Sequence, residues 1–246
     1  PDTDGGDGVI SIDPASRELF AIAQRVAQTD ATVLLTGESG VGKEVVARFI
    51  HRQSARKAGP FVAINCAAIP DSLLEATLFG YEKGAFTGAQ QAQAGKFEQA
   101  QDGTLLLDEV TEMPMGLQAK LLRVLQEREV ERVGGKKPVA LNIRIVATSN
   151  RDMLEAVAKG VFREDLYYRL SVFPVAIPAL RQRREDIVAI ARHFVVEHGG
   201  RFGRTGMSLT PAAEAALAAH SWPGNVRELE NVIQRALIMA TGNQIG

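Results

Sequence analysis

Short apolar runs alternate with stretches of helical periodicity along the first two thirds of the chain. The apolar runs that predict buried strands span residues 31–37, 61–66, 103–109 and 142–150. The stretches of helical spacing between them span residues 43–56, 71–79 and 115–129. Alternation of this kind predicts an α/β fold, with a mostly parallel sheet flanked by helices.

The pattern changes after Pro174, where a proline-punctuated connection leads into a segment of helical spacing only. We expect helices over 184–199, 209–220 and 226–240, with Thr210 and Asn225 as N-caps of the last two. These features predict three segments: a linker remnant over 1–8, an α/β subdomain over 9–175, and a small α-helical subdomain over 176–246.

Composition limits the possible surroundings and partners. The chain has 246 residues and a formal net charge of −1, which disfavours a broad nucleic-acid-binding surface. Cys66 is the only cysteine, so an internal disulfide is impossible and a reducing compartment is expected. We find no apolar run long enough to cross a bilayer, and we expect a cytoplasmic protein.

A glycine-rich stretch, "GESGVGKE", lies between a predicted strand and a predicted helix. It follows the P-loop pattern, in which backbone N–H groups and a helix N-terminus bind phosphate oxygens and the lysine supplies a mobile positive charge. The alternative is a plain turn between strand and helix. Glu44 stands where a serine or threonine usually contacts Mg²⁺. The stretch comprises Gly37, Glu38, Ser39, Gly40, Val41, Gly42, Lys43 and Glu44.

Two carboxylates, Asp108 and Glu109, end the apolar run "TLLLDE". A buried strand would place them at the carboxyl edge of the sheet, where such folds bind ligands. We expect Asp108 to hold Mg²⁺ and Glu109 to orient and deprotonate an attacking water. A strand that merely ends in acidic residues is the alternative, but together with the P-loop these residues predict a nucleoside triphosphatase.

The segment "GAFTGA", from Gly84 to Ala89, places one large apolar residue, Phe86, among small residues. From the residues alone it is either a tight turn with Phe86 folded into the core or a loop that presents Phe86 to a partner. With the P-loop and the acidic strand end, this segment makes residues 9–239 resemble the AAA+ ATPase domain of bacterial sigma-54-dependent transcription activators. The resemblance implies that Phe86 and Thr87 contact the sigma-54 factor of RNA polymerase.

The resemblance also implies roles for residues elsewhere. Asn65 would hold back the catalytic glutamate through a hydrogen bond from its side-chain amide to the Glu109 carboxylate. An amide at a strand end that is hydrogen-bonded to the backbone is an equal alternative. Asn150 would sense the γ-phosphate. Arg163 and Arg169 would act in trans on the nucleotide of a neighbouring subunit, although they could instead pair with Glu164 or Asp165. Arg227 would sense the nucleotide from the lid. Val9 and Ile10 would border the adenine.

Three further features are interpreted as structural. We expect Arg181, Arg183 and Arg184 to form a solvated, self-paired helix start, and Leu121, Leu122 and Leu125 to be a core stripe. The four histidines have no zinc-ligand spacing.

The resemblance thus implies an ATP- and Mg²⁺-dependent ATPase acting as a ring, expected to be a hexamer. It would remodel the closed sigma-54 polymerase complex so that the promoter opens. In this family a helix-turn-helix domain that follows the ATPase domain binds DNA, and this chain does not include one. The alternatives are a DNA-processing AAA+ motor and a nucleotide-regulated assembly module that does not hydrolyse ATP.

Overall fold

The computed structural model describes residues 9–246, and the contacts among them define two compact units. The first unit contains residues 9–22, Gly37–Val45 and Ile177–Gly246. The second contains Ala23–Thr36 and Val46–Ala176. Helices α1 (Pro14–Ala27) and α2 (Lys43–Arg52) each have residues in both units.

The second unit is built on a five-stranded parallel sheet in the order β2-β3-β6-β1-β7. The fold class predicted from the alternating pattern is therefore confirmed. The strands of this unit are β1 (Val33–Thr36), β2 (Phe61–Asn65), β3 (Thr104–Asp108), β4 (Glu129–Glu131), β5 (Pro138–Ala140), β6 (Arg144–Ser149) and β7 (Phe173–Ala176), of which β4 and β5 form a separate antiparallel pair.

Helices pack on this sheet and enclose one apolar core. Every residue of β6 is buried, as expected for the central strand of a covered parallel sheet. Leu121 and Leu122 are buried in this core and Leu125 packs against it, so the predicted leucine stripe is confirmed. The helices are α3 (Asp71–Phe79), α4 (Lys96–Gln99), α5 (Met115–Glu127), α6 (Met153–Ala158) and α7 (Glu164–Leu170), with a 3-10 turn at Val110–Glu112.

Helices also form most of the first unit, around a second apolar core that includes Leu180, Trp222 and Leu229. Thr210 caps its helix by accepting a hydrogen bond from the Ala213 N–H, as predicted. The elements are a 3-10 turn at Leu180–Gln182, α8 (Arg184–Arg201), β8 (Ser208–Leu209), α9 (Pro211–Ala219), α10 (Asn225–Met239) and β9 (Gln244–Ile245).

Two predictions about the last third of the chain are wrong. The connection that starts at Pro174 and the segment of helical spacing beyond it are predicted to contain no strand, but residues 173–176 form β7, which pairs with β1 at the edge of the sheet, and β8 pairs with β9. Asn225 does not cap α10 with its side chain. It has a φ of 53°, and its amide oxygen accepts from the backbone N–H of Leu180.

Helix α1 has no counterpart among the predicted elements. Its apolar positions Leu19, Phe20, Ala23, Val26 and Ala27 have helical spacing and are all buried, so the periodicity that predicts a helix was present.

The proposed division into residues 9–175 and 176–246 stays a prediction, and the segment 1–8 lies outside the described residues. Among the described residues, none of the helices combines the length and the apolar character needed to span a bilayer.

Candidate functional site

The carboxyl edge of the sheet gathers Asp108, Asn65 and Thr148 into one hydrogen-bonded cluster. Parallel pairing of β2 and β3 sets Asn65 beside Asp108. The Asn65 amide donates to Asp108 Oδ2 at 3.1 Å, and the Thr148 hydroxyl donates to Asp108 Oδ1 at 2.5 Å. Each oxygen of this carboxylate therefore has one protein donor and keeps further acceptor capacity.

Asn65 does not bond the carboxylate of Glu109 as expected. The strand register is the reason, because it pairs Asn65 with the residue before Glu109. The Asn65 side-chain oxygen instead accepts from the backbone N–H groups of Ala67 and Ala68. The structure thus gives Asn65 the backbone bonds of the alternative interpretation together with a bond to Asp108.

Glu109 has an unusual backbone conformation for its residue type. Its φ of 53° and ψ of 50° lie in the left-handed region, which costs a residue other than glycine about 1 kcal/mol or more. Its N–H donates to the Thr148 hydroxyl at 2.9 Å. Backbone strain of this kind concentrates at functional sites, where surrounding contacts hold it in place.

Thr148 is not among the predicted site residues, yet its hydroxyl bonds both acidic residues. It is fully buried at the end of β6, whereas Asn150, the predicted sensor, is exposed just past that strand. A hydroxyl residue at the end of a strand next to the acidic strand was the available signal.

The donor set at the sheet edge suits a hard cation. Mg²⁺ is usually bound by one or two carboxylates, with waters and substrate phosphates completing its octahedron. Asp108 offers such a carboxylate, half-buried and with unused acceptor capacity. Among residues 9–246 there is no cluster of three or more His, Cys, Asp or Glu side chains that could hold a metal ion.

Cys66 lies next to this edge but is not a reactive thiol. It is buried, and burial first, then the negative charges of Asp108 and Glu109, raise its pKa to about 12. A thiol with this pKa stays protonated near neutrality and is a poor nucleophile.

The two arginines predicted to act in trans are held by residues of their own unit. Arg163 makes a bidentate pair with Asp165, at 3.0 and 2.8 Å, which is one of the pairings considered from the sequence. Arg169 is exposed and donates to the carbonyl oxygen of Leu125 at 2.8 Å. The pKa of Asp165 is lowered, first by the hydrogen bond from Arg163.

The segment Gly84–Ala89 forms a turn whose tip is exposed. The Gly84 N–H donates to the Ala89 carbonyl and the Ala89 N–H donates to the Phe86 carbonyl, which closes the turn. Phe86 is 44% exposed, and its ring lies in an edge-to-face arrangement with the ring of Tyr81, with centroids 4.9 Å apart. Thr87 is exposed beside it. Phe86 is therefore not folded into the core.

The base of this turn is firmly anchored. Tyr81 exchanges backbone hydrogen bonds with Gln93, and the Glu82 N–H donates to the Val133 carbonyl. Arg132 pairs with both Glu82 and Glu98. An exposed tip on a hydrogen-bonded base suits a segment that must reach a partner in a defined direction.

In the first unit, the glycine-rich loop leads directly into α2. Gly37, Gly40 and Gly42 have φ values of 155°, 78° and 100°, which only glycine adopts without strain. Lys43 is buried, and its ammonium donates to the carbonyls of Gly37 and Glu38 at 2.8 and 3.0 Å. Such a loop, curled around the first turn of a helix, is the arrangement that binds phosphate.

Residues of the C-terminal segment pack on this loop. Arg227 is exposed and donates to the Ser39 hydroxyl at 3.1 Å, so the predicted lid sensor contacts the loop. The N–H groups of Val226 and Arg227 donate to the Gly40 carbonyl, which caps α10 and explains why the Asn225 side chain does not. A Cβ on Gly40 would lie 2.5 Å from the carbonyl oxygen of Gly224, so the approach requires glycine.

The interpretation of Arg181, Arg183 and Arg184 as a solvated, self-paired helix start is wrong in part. Arg181 forms a bidentate pair with Glu38. Arg183 does lie 4.0 Å from Asp186, but it is buried and donates to the Val41 carbonyl at 2.6 Å. A carbonyl of the curled loop thus receives a donor from Arg183, and the carboxylate of the loop receives its donors from Arg181.

Val9 and Ile10 belong to the same unit as the loop. Val9 is buried, and Ile10 packs against the apolar core of α8 and α10. Their contact with the adenine stays a prediction.

Comparison with known proteins gives the family. Residues 9–176 match the Sigma-54 interaction domain, and residues 181–246 match the AAA+ ATPase lid domain. The chain is 61% identical, over 239 residues, to the response regulator protein FleR of Pseudomonas aeruginosa, covering 97% of this chain and 50% of FleR.

Solved structures agree with this assignment. NtrX from Brucella abortus in complex with ADP has a TM-score of 0.89 at 41% identity, covering 97% of this chain and 53% of NtrX. NtrX in complex with ATP has a TM-score of 0.86 at 42% identity, covering 94% and 52%. The chain spans about half the length of the curated relatives it matches. The chain belongs to the family of sigma-54-dependent transcription activators, as a Sigma-54 interaction domain of the AAA+ P-loop class with its lid domain.

Proposed function

We propose that this chain hydrolyses ATP and uses the energy to remodel the sigma-54 RNA polymerase closed complex, so that the promoter opens. The observation that carries the proposal is the exposed Phe86 at the tip of the anchored Gly84–Ala89 turn, in a chain of this family. A large apolar side chain on an exposed turn is best explained by a protein partner. The partner is sigma-54, and the acting form is a ring of identical chains, a hexamer.

Nucleotide binding is assigned to the glycine-rich loop. Backbone N–H groups of residues 37–42 and the N-terminus of α2 bind the phosphates, and the Lys43 ammonium moves from its loop carbonyls to the outer phosphate oxygens. Glu44 provides no hydroxyl for Mg²⁺, so Asp108 is the protein ligand of the ion. Val9 and Ile10 border the adenine. Support comes from NtrX, a similar protein solved in complex with ADP and with ATP.

Hydrolysis is assigned to Glu109 as the base that orients and deprotonates the attacking water. Mg²⁺ held by Asp108 would neutralise part of the negative charge on the phosphate oxygens. Arg163 and Arg169 leave Asp165 and Leu125 and stabilise the charge of the transition state on a neighbouring chain. The Arg163–Asp165 pair is exposed and Arg169 donates to a single carbonyl, so both arginines can exchange these weak contacts for the nucleotide of a neighbour.

Coupling between the site and the turn is assigned to Asn65 and Asn150. The amide of Asn65 shares Asp108 with Thr148, so a change in what Asp108 binds alters the bonds of two strand ends. For this relay to do work, the two nucleotide states must give the turn different contact free energies with sigma-54.

The catalytic assignment is tested by Glu109→Gln. The amide keeps the size of the side chain but cannot accept the proton of water, so turnover should fall about 100-fold or more while ATP binding remains within about twofold. Phosphate release and fluorescent-nucleotide titration measure the two quantities. Glu112→Gln, three residues further on, serves as a matched control and should leave turnover unchanged. Normal turnover in Glu109→Gln would overturn the base assignment.

The contact assignment is tested by Thr87→Ala. Because Thr87 is exposed, its loss should leave folding and most ATPase activity intact while open-complex formation is abolished. Open complexes on supercoiled promoter DNA and ATPase rates are measured on the same preparations. Thr77→Ala, at a half-buried position of α3 outside the turn, is the control. Loss of hydrolysis in proportion to loss of promoter opening would contradict a separate contact role.

A further inference from the structure

The phosphate-binding loop is held along most of its length by side chains and N–H groups from residues 181–227 of the same unit. The Gly40 carbonyl accepts hydrogen bonds from two backbone N–H groups. The Val41 carbonyl accepts one from the Arg183 side chain, and the Ser39 hydroxyl accepts one from the Arg227 side chain. Glu38 also takes part in these contacts, and its carboxylate is the only negatively charged group among residues 37–42.

The carboxylate of Glu38 accepts three side-chain hydrogen bonds. Arg181 donates to its two oxygens at 2.8 and 2.5 Å, and the amide of Asn225 donates to Oε2 at 3.0 Å. Asn225 is completely buried, and it also donates to the Ser39 carbonyl and accepts from the Leu180 N–H. These contacts, from Arg181 first, lower the pKa of Glu38 to about 2, so it is ionised at all physiological pH values.

An ionised carboxylate in a loop that binds phosphates raises an electrostatic problem. Like charges at separations of a few ångströms near a protein surface repel by about 1 kcal/mol or more, which is equivalent to about a fivefold loss of affinity. A bidentate guanidinium removes most of this repulsion and fixes the side chain in one orientation.

We propose that Arg181 is a positioning residue for nucleotide: it neutralises Glu38 and ties the phosphate-binding loop to the 3-10 turn that precedes α8. The proposal rests on the nucleotide binding proposed above. It assigns Arg181 to ground-state binding of the nucleotide phosphates and gives it no part in the chemical step.

The proposal predicts an unusual pattern in a double-mutant cycle. Arg181→Gln leaves the Glu38 charge uncompensated and should raise the Kd for ATP and ADP about fivefold. Glu38→Gln combined with Arg181→Gln removes both charges and should recover most of that loss. Arg181→Lys, which keeps the charge without the bidentate fork, should lie between wild type and Arg181→Gln.

The experiment measures Kd by fluorescent-nucleotide titration, and kcat and KM for ATP, on the whole chain. Arg192→Gln is the matched control, because Arg192 also forms a bidentate pair with a glutamate, Glu214, and none of its bonds reaches the loop. In Arg181→Gln the KM should rise with the Kd while kcat stays within about twofold, and the effect on Kd should shrink at high salt. Arg192→Gln should change none of these values.

The outcomes separate the two proposals. If the wild-type chain binds nucleotide and Arg181→Gln binds it equally well, or if the double variant binds no better than Arg181→Gln, the role of Arg181 is refuted and the proposed function stands. If the wild-type chain binds no nucleotide, the proposed function fails and this inference fails with it.

Discussion

One hydroxyl group organises the acidic edge of the sheet. Thr148 donates to Asp108 and accepts from the backbone of Glu109, so a single buried atom holds the proposed metal ligand and the proposed base. The left-handed conformation of Glu109 persists because its N–H has this partner. The geometry of the two acidic residues is thus set from the neighbouring strand.

We predict that Thr148→Val lowers kcat by about tenfold or more with little change in nucleotide Kd. Valine has the same shape but leaves the Glu109 N–H without its acceptor, a loss that costs about 1–3 kcal/mol when the group is buried. Thr111→Val is the matched control, since Thr111 is also buried and its hydroxyl lies 3.5 Å from that of Ser149. Steady-state kinetics and nucleotide titration decide the matter, and wild-type kcat in Thr148→Val would refute it.

At the scale of elements, strand register and helix ends place the functional groups. Parallel pairing of β2 with β3 brings Asn65 to Asp108, and the anchored base of the Gly84–Ala89 turn directs Phe86 outward. Two helix starts of the first unit differ in kind. α9 is capped by its own Thr210, whereas α10 is capped by the Gly40 carbonyl of the phosphate-binding loop.

We predict that Thr210→Ala destabilises the first unit by about 1 kcal/mol without affecting nucleotide binding, because it removes only the side-chain cap of α9. Thr205→Ala, at an exposed position five residues earlier, is the control and should be neutral within about 0.5 kcal/mol. Denaturant unfolding gives the stability, and nucleotide titration gives the affinity. Equal stability of the Thr210→Ala chain and the control chain would show that the cap contributes nothing.

At the scale of the whole molecule, the proposed machine needs more than one chain. Arg163 and Arg169 bond Asp165 and the carbonyl of Leu125, both in their own unit. The ring proposal assigns them to the nucleotide of a neighbour. Cyclic assemblies use one head-to-tail interface repeatedly, so every junction would contain the same pair of surfaces.

We predict that two inactive variants restore activity when mixed. Arg163→Gln chains keep the base, and Glu109→Gln chains keep the arginine. Random assembly should place the two intact surfaces together at about a quarter of the junctions, so the mixture should recover up to that fraction of wild-type turnover. Mixing Arg163→Gln with Arg163→Gln,Glu109→Gln is the control and should recover nothing. Absence of recovery in the first mixture would contradict action in trans.

Much of this protein follows from local sequence. Apolar runs and helical spacing predicted four of the five strands of the parallel sheet, because burial on both faces leaves a strong one-dimensional signal. β7 escaped detection because Phe173–Ala176 contains a proline and lies at the sheet edge, where only one neighbour is needed. The glycine-rich loop was predictable because its chemistry is contiguous in the chain, whereas the exposure of Phe86 was predicted only from the resemblance to a known family.

Tertiary structure decided what depends on residues far apart in sequence. The Thr148 hydroxyl donates to Asp108 from a neighbouring strand. Asn65 bonds Asp108 and not Glu109 because the β2–β3 register pairs it with Asp108. Arg181 and Glu38 lie 143 positions apart and meet only after the chain has folded. The sequence therefore predicted a solvated basic run, whereas in the structure Arg181 pairs with the glycine-rich loop. Sequence determines which groups are present and their local geometry; the free energy of a distant pair depends on a separation that only folding fixes.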